Sequence, residues 1–378
     1  MKIAIDSSCL AINRFSGLGE FVHHLLLHMP KLSADMQFTL YINYFRKDAR
    51  VRDICYPGTN NHILKAPRTL LDFLWRFNWL PIDYYLKKAD IFHSIHIRVP
   101  PSKKMKTILT VHDCRFMAFP QIYGVKDVKN YRKQMEISLN RVDAVVAISH
   151  FTREEILKYF SFPEDRIKVI HYGFSSLQAG KSTNDPIEKF IAEKAIKRPY
   201  LLTLSAIDPR KNLDRLVEAF AQCKKEDKAF PPLVVVGISP ENWILSDMAI
   251  KARKLKVFRD IIVCGIVNRE ITTELIKNAH VLCYPSLYEG FGLPPLEAMS
   301  LGIPVLAGMS SSIPEISGNA ACLVDPMDVN DMSFGLRRIV SDSDYRKNLV
   351  DAGYRQIKKF SWDKTSAEYL KLYREVMS

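Results

Sequence analysis

Twelve short apolar runs, each followed by a helix-like stretch, constrain this chain more than any single residue does. KIAID, QFTLYIN, DIFHSI, TILTVHD, DAVVAIS and RIKVIHYG occupy the first half; YLLTLSAI, PLVVVG, IIVCGIV, HVLCYPS, IPVLAG and CLVD occupy the second. Runs of four to eight apolar residues read as strands buried on both faces, and Leu213, Leu216, Val217 and Phe220 are spaced as on one face of a helix. Strand and helix alternating in this way build parallel sheets covered on both sides, an α/β class.

The rhythm breaks once. From about Ser175 to Lys197 the chain is polar, with Lys, Ser, Asn and Asp and no strand pattern, which reads as a linker. At 378 residues the chain exceeds one ordinary core, so two domains of about 1–175 and 176–358 are expected. An amphipathic helix follows over Trp362–Met377, carrying Tyr369, Leu370, Leu372, Tyr373 and Val376. It either closes the second domain or packs back across the linker. Gly180-Lys181-Ser182 has the ending of a phosphate-binding loop, but Ser175 stands where that loop needs its first glycine.

The start, Met1-Lys2-Ile3-Ala4-Ile5-Asp6, interrupts its apolar run with an acid, unlike a signal peptide. No stretch approaches the roughly 18 uncharged apolar residues of a membrane span. The seven cysteines are unpatterned, and Cys264, Cys283 and Cys322 sit inside apolar runs, which fits a reducing, cytoplasmic setting and a soluble or peripheral protein. The net charge of +13 points to phosphate in some form, whether nucleic acid, anionic lipid or a phosphorylated substrate. No nucleic-acid recognition motif accompanies it. Trp75, Phe77 and Trp79 lie among Arg68, Arg76 and Lys87, a mixture that suits either a membrane interface or buried aromatics with ordinary surface charge around them. His24 and His28 are one helical turn apart but lack the companions of a metal site.

Chemistry concentrates in Ser286-Leu287-Tyr288-Glu289-Gly290-Phe291-Gly292-Leu293-Pro294-Pro295-Leu296-Glu297-Ala298-Met299. It begins where the run VLCYPS ends, on the side where open α/β sheets bind ligands. Gly290 and Gly292 allow close backbone approach, and Pro294 and Pro295 suit a helix start whose N–H groups would point at a phosphate. Glu289 in the loop and Glu297 in the helix's first turn are suited to sugar and ribose hydroxyls; the plain alternative is dipole-matching acids at a helix start. Asp208-Pro209-Arg210-Lys211-Asn212 places two cations after YLLTLSAI, before a helix that Asn212 would cap, and would neutralise a leaving diphosphate. A solvated basic turn is the alternative. Gly17 and Gly19 lie in Arg14-Phe15-Ser16-Gly17-Leu18-Gly19-Glu20, where Val22 rules out a dinucleotide fingerprint. His112, in Thr110-Val111-His112-Asp113, ends another strand and offers a hydrogen bond or a charge near neutral pH; a structural histidine is the alternative.

The fourteen-residue stretch closely resembles the E-x7-E signature of family 4 glycosyltransferases, which have the GT-B fold. The resemblance runs from the first strand to the final FSWDKTSAEYLKLYREV segment. It implies two Rossmann-like doubly wound domains facing across a cleft, with residues 359–378 returning to the first. It implies that Glu289 contacts the donor sugar and Glu297 the ribose, with Gly290, Phe291, Gly292 and Leu293 giving backbone contacts to the donor. Arg210 and Lys211 fall on the pyrophosphate, although here they are adjacent where many members separate them. Gly17 and Gly19 resemble the family's first glycine loop, and Gly265, Ile266 and Val267 the loop that reads the base. His112 and Asp113 match an HD pair at the reaction centre, and Asp113, with His93 from a weaker second element, is a candidate on the acceptor side. The resemblance also implies retention at the anomeric carbon without a metal or other cofactor.

The opening KIAIDSSCL and SGLGEFVHHLL segments are most similar to bacterial polysaccharide mannosyltransferases. This makes GDP-mannose the expected donor and a saccharide or lipid-linked saccharide the expected acceptor, in lipopolysaccharide-type biosynthesis, with peripheral contact at the anionic cytoplasmic face of the inner membrane. UDP-sugar donors, a nucleotide-sugar epimerase on the same fold and, more remotely, a basic nucleic-acid-binding protein are the alternatives.

Overall fold

The computed structural model describes every residue except Phe15, 46–50, Arg52 and 177–184. It divides into two compact units, the first being Met1–Gly173 with Phe360–Ser378 and the second Phe174–Lys359. Gly180-Lys181-Ser182 lies outside the described residues.

The first unit holds β1 (Lys2–Asp6), β2 (Gln37–Asn43), β3 (Thr59–Leu64), β4 (Ile91–Ser94), β5 (Lys106–Val111), β6 (Ala144–Ala147) and β7 (Ile167–Val169) in the order β3-β2-β1-β4-β5-β6-β7. Every pairing is parallel. The apolar runs predicted six of these strands. The seventh, β3 (TNNHIL), pairs among the described residues with β2 alone, and as a largely solvated edge strand it has no buried run to betray it. Leu109, Val111 and Val145 pack with Met135 and Ile156, and Phe92 and Tyr41, on the same face of the sheet, pack with Ile82 and Leu86. The helix Trp362–Met377 is built into this unit. Trp362 stacks on His24 at 4.7 Å between ring centres, and a Cβ on Gly173 would stand 2.5 Å from Trp362.

The second unit holds β8 (Leu201–Leu204), β9 (Leu233–Val236), β10 (Ile261–Gly265), β11 (Val281–Tyr284), β12 (Val305–Gly308) and β13 (Cys322–Val324), in the order β10-β9-β8-β11-β12-β13 and again all parallel. Counted from its own first strand this is the 3-2-1-4-5-6 order of doubly wound dinucleotide-binding sheets. Its core joins Leu233, Val235, Cys283 and Leu306 to Leu216, Val217 and Phe220, the helical face legible in the sequence. The segment read as a linker is helical over Asp185–Glu193, where Ile187 and Ile191, one turn apart, are buried among polar neighbours. Among the described residues no helix is long and apolar enough to cross a membrane.

Candidate donor site

In a doubly wound sheet the chain leaves β8 in opposite directions, and the crevice between the carboxyl ends of β8 and its neighbour β11 is where ligands bind. Both sequence segments singled out for diphosphate chemistry emerge there. After β8, Pro209–Lys211 form a short 3-10 turn that Asp208 caps by accepting the Arg210 amide at 3.0 Å. Asn212 follows in the left-handed conformation, φ 57°, which its short side chain tolerates. The expectation that Asn212 caps the following helix Leu213–Glu226 by its side chain is not met. Its Nδ2 instead donates to the Pro285 carbonyl at 3.1 Å and the Pro326 carbonyl at 2.6 Å, tying the β8 loop to the segments after β11 and β13. The Leu287 amide donates to the Arg210 carbonyl at 2.7 Å, a second tie between the same two loops.

Lys211 projects from this scaffold onto Glu289, its Nζ 2.6 Å from Oε1, and donates to the Tyr284 hydroxyl at 3.1 Å. Both charged side chains of the pair are largely shielded from water. The Arg210 guanidinium closes on Asp208 at 2.5 Å. The adjacent cations therefore differ in kind: Arg210 is held by its own loop, while Lys211 reaches across to the β11 loop. Burial raises the Tyr284 phenol well above its usual range, with Glu289 and then Glu297 adding to the effect. The two carboxylates of the signature thus act on one buried hydroxyl. Glu289 is itself fixed from behind: its amide donates to Ser311 Oγ at 3.0 Å, and the Ser312 hydroxyl, 2.9 Å from both the Glu289 and Phe291 carbonyls, shares its one hydrogen between them.

Gly292 stands at φ 98°, and a Cβ there would come within 2.6 Å of Ile313 Cδ1, so only glycine fits the turn into the helix Leu293–Ser300. Glu297 is the fifth residue of that helix, not in its first turn as expected, because the helix begins at Leu293 ahead of both prolines. Since Pro294 and Pro295 carry no amide hydrogen, only Gly292 and Leu293 among the helix's opening amides can donate to an anion. Gly290 and Leu293 are partly exposed and Phe291 is buried beneath the loop. Gly265, at φ 86°, turns the chain at the end of β10 and accepts the Gly237 amide at 2.8 Å. Beyond it Ile266 is 83% exposed and Val267 partly so, a surface apolar pair next to the site's sheet edge.

In the first unit, Gly17 and Gly19 lie inside the first turn of the helix Gly17–Leu32, separated from β1 by the helix Ser8–Asn13. Ser16 Oγ accepts the Gly19 amide at 3.1 Å. A Cβ on Gly19 would stand 2.4 Å from the Arg14 carbonyl, whereas one on Gly17 would meet nothing within 4 Å. Gly19 is required for packing; Gly17 is not.

Both histidines make hydrogen bonds within the first unit. His112 donates from Nε2 to the Ile95 carbonyl at 3.0 Å, and its Nδ1 meets the Tyr172 hydroxyl, so both nitrogens are engaged internally. The residue is partly exposed, and desolvation of its ring, reinforced by His96, lowers its pKa to about 3. His93 is wholly buried and cannot touch an acceptor. Its Nδ1 pairs with Tyr373 at 2.7 Å and its Nε2 with Thr110 Oγ1 at 2.8 Å, and Thr110 Oγ1 bonds Tyr369 at 2.9 Å. Burial lowers its pKa to about 3 as well. It serves to seat the last helix on β4 and β5. Asp113 accepts the Arg115 amide at 3.0 Å at the start of the helix Arg115–Ala118 and stays partly exposed. Sequence reasoning placed Asp208 and Asn212 in the basic turn without their partners, and missed Tyr284, Ser311 and Ser312 as parts of the site. The only available signal was their position at strand ends.

The second unit thus carries, at its switch-point crevice, a Lys–Glu–Tyr cluster beside a glycine turn. Two family models bear on it: "Glycosyl transferases group 1" matches residues 184–356 and "Glycosyltransferase Family 4" matches 15–175. The chain belongs to this family of glycosyltransferases. It is 29% identical over 297 residues to O-antigen chain mannosyltransferase B of Escherichia coli, covering 78% of this chain and 76% of that one. Among solved structures it resembles WaaG, a glycosyltransferase involved in lipopolysaccharide biosynthesis, with TM-score 0.70 at 16% identity over 98% of this chain and 99% of that one. It also resembles HepE of Anabaena in complex with UDP and glucose, with TM-score 0.71 at 14% identity over 99% of this chain and all of that one. The GT-B fold expected from the sequence is that of these structures.

Proposed function

We propose that the chain is a retaining hexosyltransferase that moves mannose from GDP-mannose to a saccharide or lipid-linked saccharide acceptor in surface polysaccharide synthesis. The observation that carries the reading is the placement of Lys211, Glu289 and Tyr284 at the switch point of the second unit. The likeness to an O-antigen mannosyltransferase supports the choice of sugar. In this reading the anomeric C–O bond to the donor phosphate breaks and the acceptor hydroxyl oxygen bonds to the same face. The departing phosphate oxygen takes the hydroxyl proton. Lys211 and Arg210 stabilise the charge left on the diphosphate, with the Gly292 and Leu293 amides as further donors. Glu289 accepts from sugar hydroxyls and Glu297 from the ribose diol, as charge-assisted bonds. Gly265, Ile266 and Val267 border the base. His112 contributes as a neutral ring that orients its strand end.

The test is nucleotide release from GDP-mannose, UDP-glucose and dTDP-glucose, with the product's anomeric configuration read by NMR. GDP release with an α-linked product is expected. Turnover of a UDP-sugar with GDP-mannose left intact would replace the donor, a reading that the UDP complex of HepE keeps in view. Conversion of a nucleotide sugar to its epimer without acceptor would replace the reaction.

A further inference from the structure

Surface helices normally turn their apolar side inward. The helix Arg68–Arg76 does so with Leu71 and Trp75, one turn apart, but its opposite side is apolar too. Leu70 and Phe73, with Phe77 just past the last turn, follow at i, i+3 and i+7 and are 50%, 54% and 51% exposed. Phe73 meets Phe77 edge to face at 5.3 Å, and Phe77 meets Trp79 at 5.5 Å, so the exposed rings form one patch. Trp79 is 58% exposed.

The patch is held in place. Asn78 adopts φ 57°, the Asn78 amide donates to the Trp75 carbonyl at 3.0 Å, and the Trp79 amide donates to the Leu74 carbonyl at 2.9 Å. These two bonds make a Schellman end to the helix. Arg141 closes it from the other side, its guanidinium on the Trp75 carbonyl at 2.5 Å and on Asn78 Oδ1 at 2.8 Å. Leu80 also takes φ 57°, unusual for a bulky residue. Trp79 therefore stands at a fixed, solvent-facing position rather than on a frayed end.

Charge in the segment that carries the patch is predominantly positive. Between residues 65 and 104 there are eight cations against three acids, and all three acids have partners inside the fold. Asp72 binds Arg98 at 2.5 Å, Asp83 accepts the amides of Lys103 and Lys104, and Asp90 accepts that of Lys2. Lys65, Arg68, Arg76, Lys87, Lys88, Lys103 and Lys104 are exposed, with Arg76 on the helix beside Phe73. Protein–protein interfaces are depleted in lysine, whereas a rigid Phe-Phe-Trp patch amid cations matches a surface of anionic lipid.

We infer that Leu70, Phe73, Phe77 and Trp79 insert into an anionic bilayer surface while the surrounding cations hold its headgroups. This deepens the proposed function by giving a lipid-linked acceptor a membrane to be met at, but its test does not depend on glycosyl transfer. Three of the four tryptophans, Trp75, Trp243 and Trp362, are buried, so Trp79 is the natural probe. With phosphatidylglycerol vesicles at low salt, the full chain should co-sediment and its emission should shift to the blue. With phosphatidylcholine alone it should do neither. Trp79→Phe should keep most of the binding and lose the shift. Phe73→Ser/Phe77→Ser should weaken binding at least about ten-fold and Arg76→Ala about five-fold, with the thermal shift by GDP or UDP unchanged as the check on folding. Absence of vesicle binding at low salt overturns the proposal, as does binding that Phe73→Ser/Phe77→Ser leaves intact. A self-association abolished by the same double variant, with no vesicle binding, also overturns it and assigns the patch to a second copy. A chain that releases nucleotide from its donor yet ignores vesicles loses this surface and keeps its reaction; one that binds vesicles but turns over no donor does the reverse.

Discussion

Replacing Asn212 tests whether the donor loops are held together by one side chain. Asn212 is buried, and its two Nδ2 bonds join the β8 loop to the Pro285 and Pro326 carbonyls. Alanine removes both, at about 1 kcal/mol net each, and forces a Cβ residue to hold φ 57°, at about 1 kcal/mol more. The expected loss is about 3 kcal/mol. Glycine relieves the backbone strain but adds a comparable entropy to the unfolded chain, so Asn212→Gly should also lose about 3 kcal/mol. The second unit contains one tryptophan, Trp243, which is buried. In a background with the other three changed to Phe, urea unfolding followed by Trp243 fluorescence reports this unit alone. With a denaturant slope of about 2 kcal/mol/M, both variants should move the midpoint down by about 1.5 M. They should also weaken stabilisation by the cognate nucleotide, since Pro285 leads directly into the Glu289 loop. If Asn212→Gly unfolds like wild type while Asn212→Ala does not, the residue supplies only a backbone conformation and the argument from its side-chain bonds is wrong.

Lys211→Met should lower kcat/KM for the donor by about 100-fold or more, as expected for a group that meets developing charge. Glu289→Gln should also impair turnover, and the double variant should lose less than the two effects combined, because the side chains are paired; simple additivity would show that they act separately. Gly17→Ala, which meets nothing within 4 Å, should leave the melting temperature unchanged, so that any loss of turnover reports on the donor, whereas Gly19→Ala should destabilise the first unit outright. His93 and His112 have folded pKa values of about 3, below the roughly 6.5 of an unfolded histidine. The unfolded chain therefore binds protons that the folded one refuses, and stability falls as pH drops from about 7 toward 3, by up to about 1.4 kcal/mol per pH unit for each ring. His93→Asn should flatten that decline in urea titrations of the first unit between pH 6.5 and 4.5; an unchanged slope would mean that His93 is protonated in the folded state.

How much of this was legible follows from what burial does to a sequence. A strand inside a parallel sheet is covered on both faces, so KIAID or LVVV appears as an unbroken apolar run. TNNHIL at the sheet edge satisfies one neighbour and otherwise faces water, and nothing in its residues separates it from a loop. The isoleucines of the helix Asp185–Glu193 were hidden by polar residues on its other side. At the site, loop chemistry could be read because glycine and proline announce turns, but partnership could not. Lys211 reaches Tyr284 and Glu289 across 73 and 78 residues, a proximity created only when the topology sets β8 beside β11. The same reasoning could have demoted His93 earlier. It lies between Phe92 and Ser94 on β4, which has β1 on one side and β5 on the other, so its ring enters a covered layer where an imidazole must be neutral and fully bonded. His112 sits one residue beyond the end of β5, where sequence alone allows either fate. Tyr172 and the Ile95 carbonyl decide it by occupying both ring nitrogens. A histidine at a strand's carboxyl end is thus a candidate for ligand contact only after its two nitrogens have been accounted for, and in the proposed reaction the accounting leaves the charged chemistry to Lys211, Arg210 and Glu289.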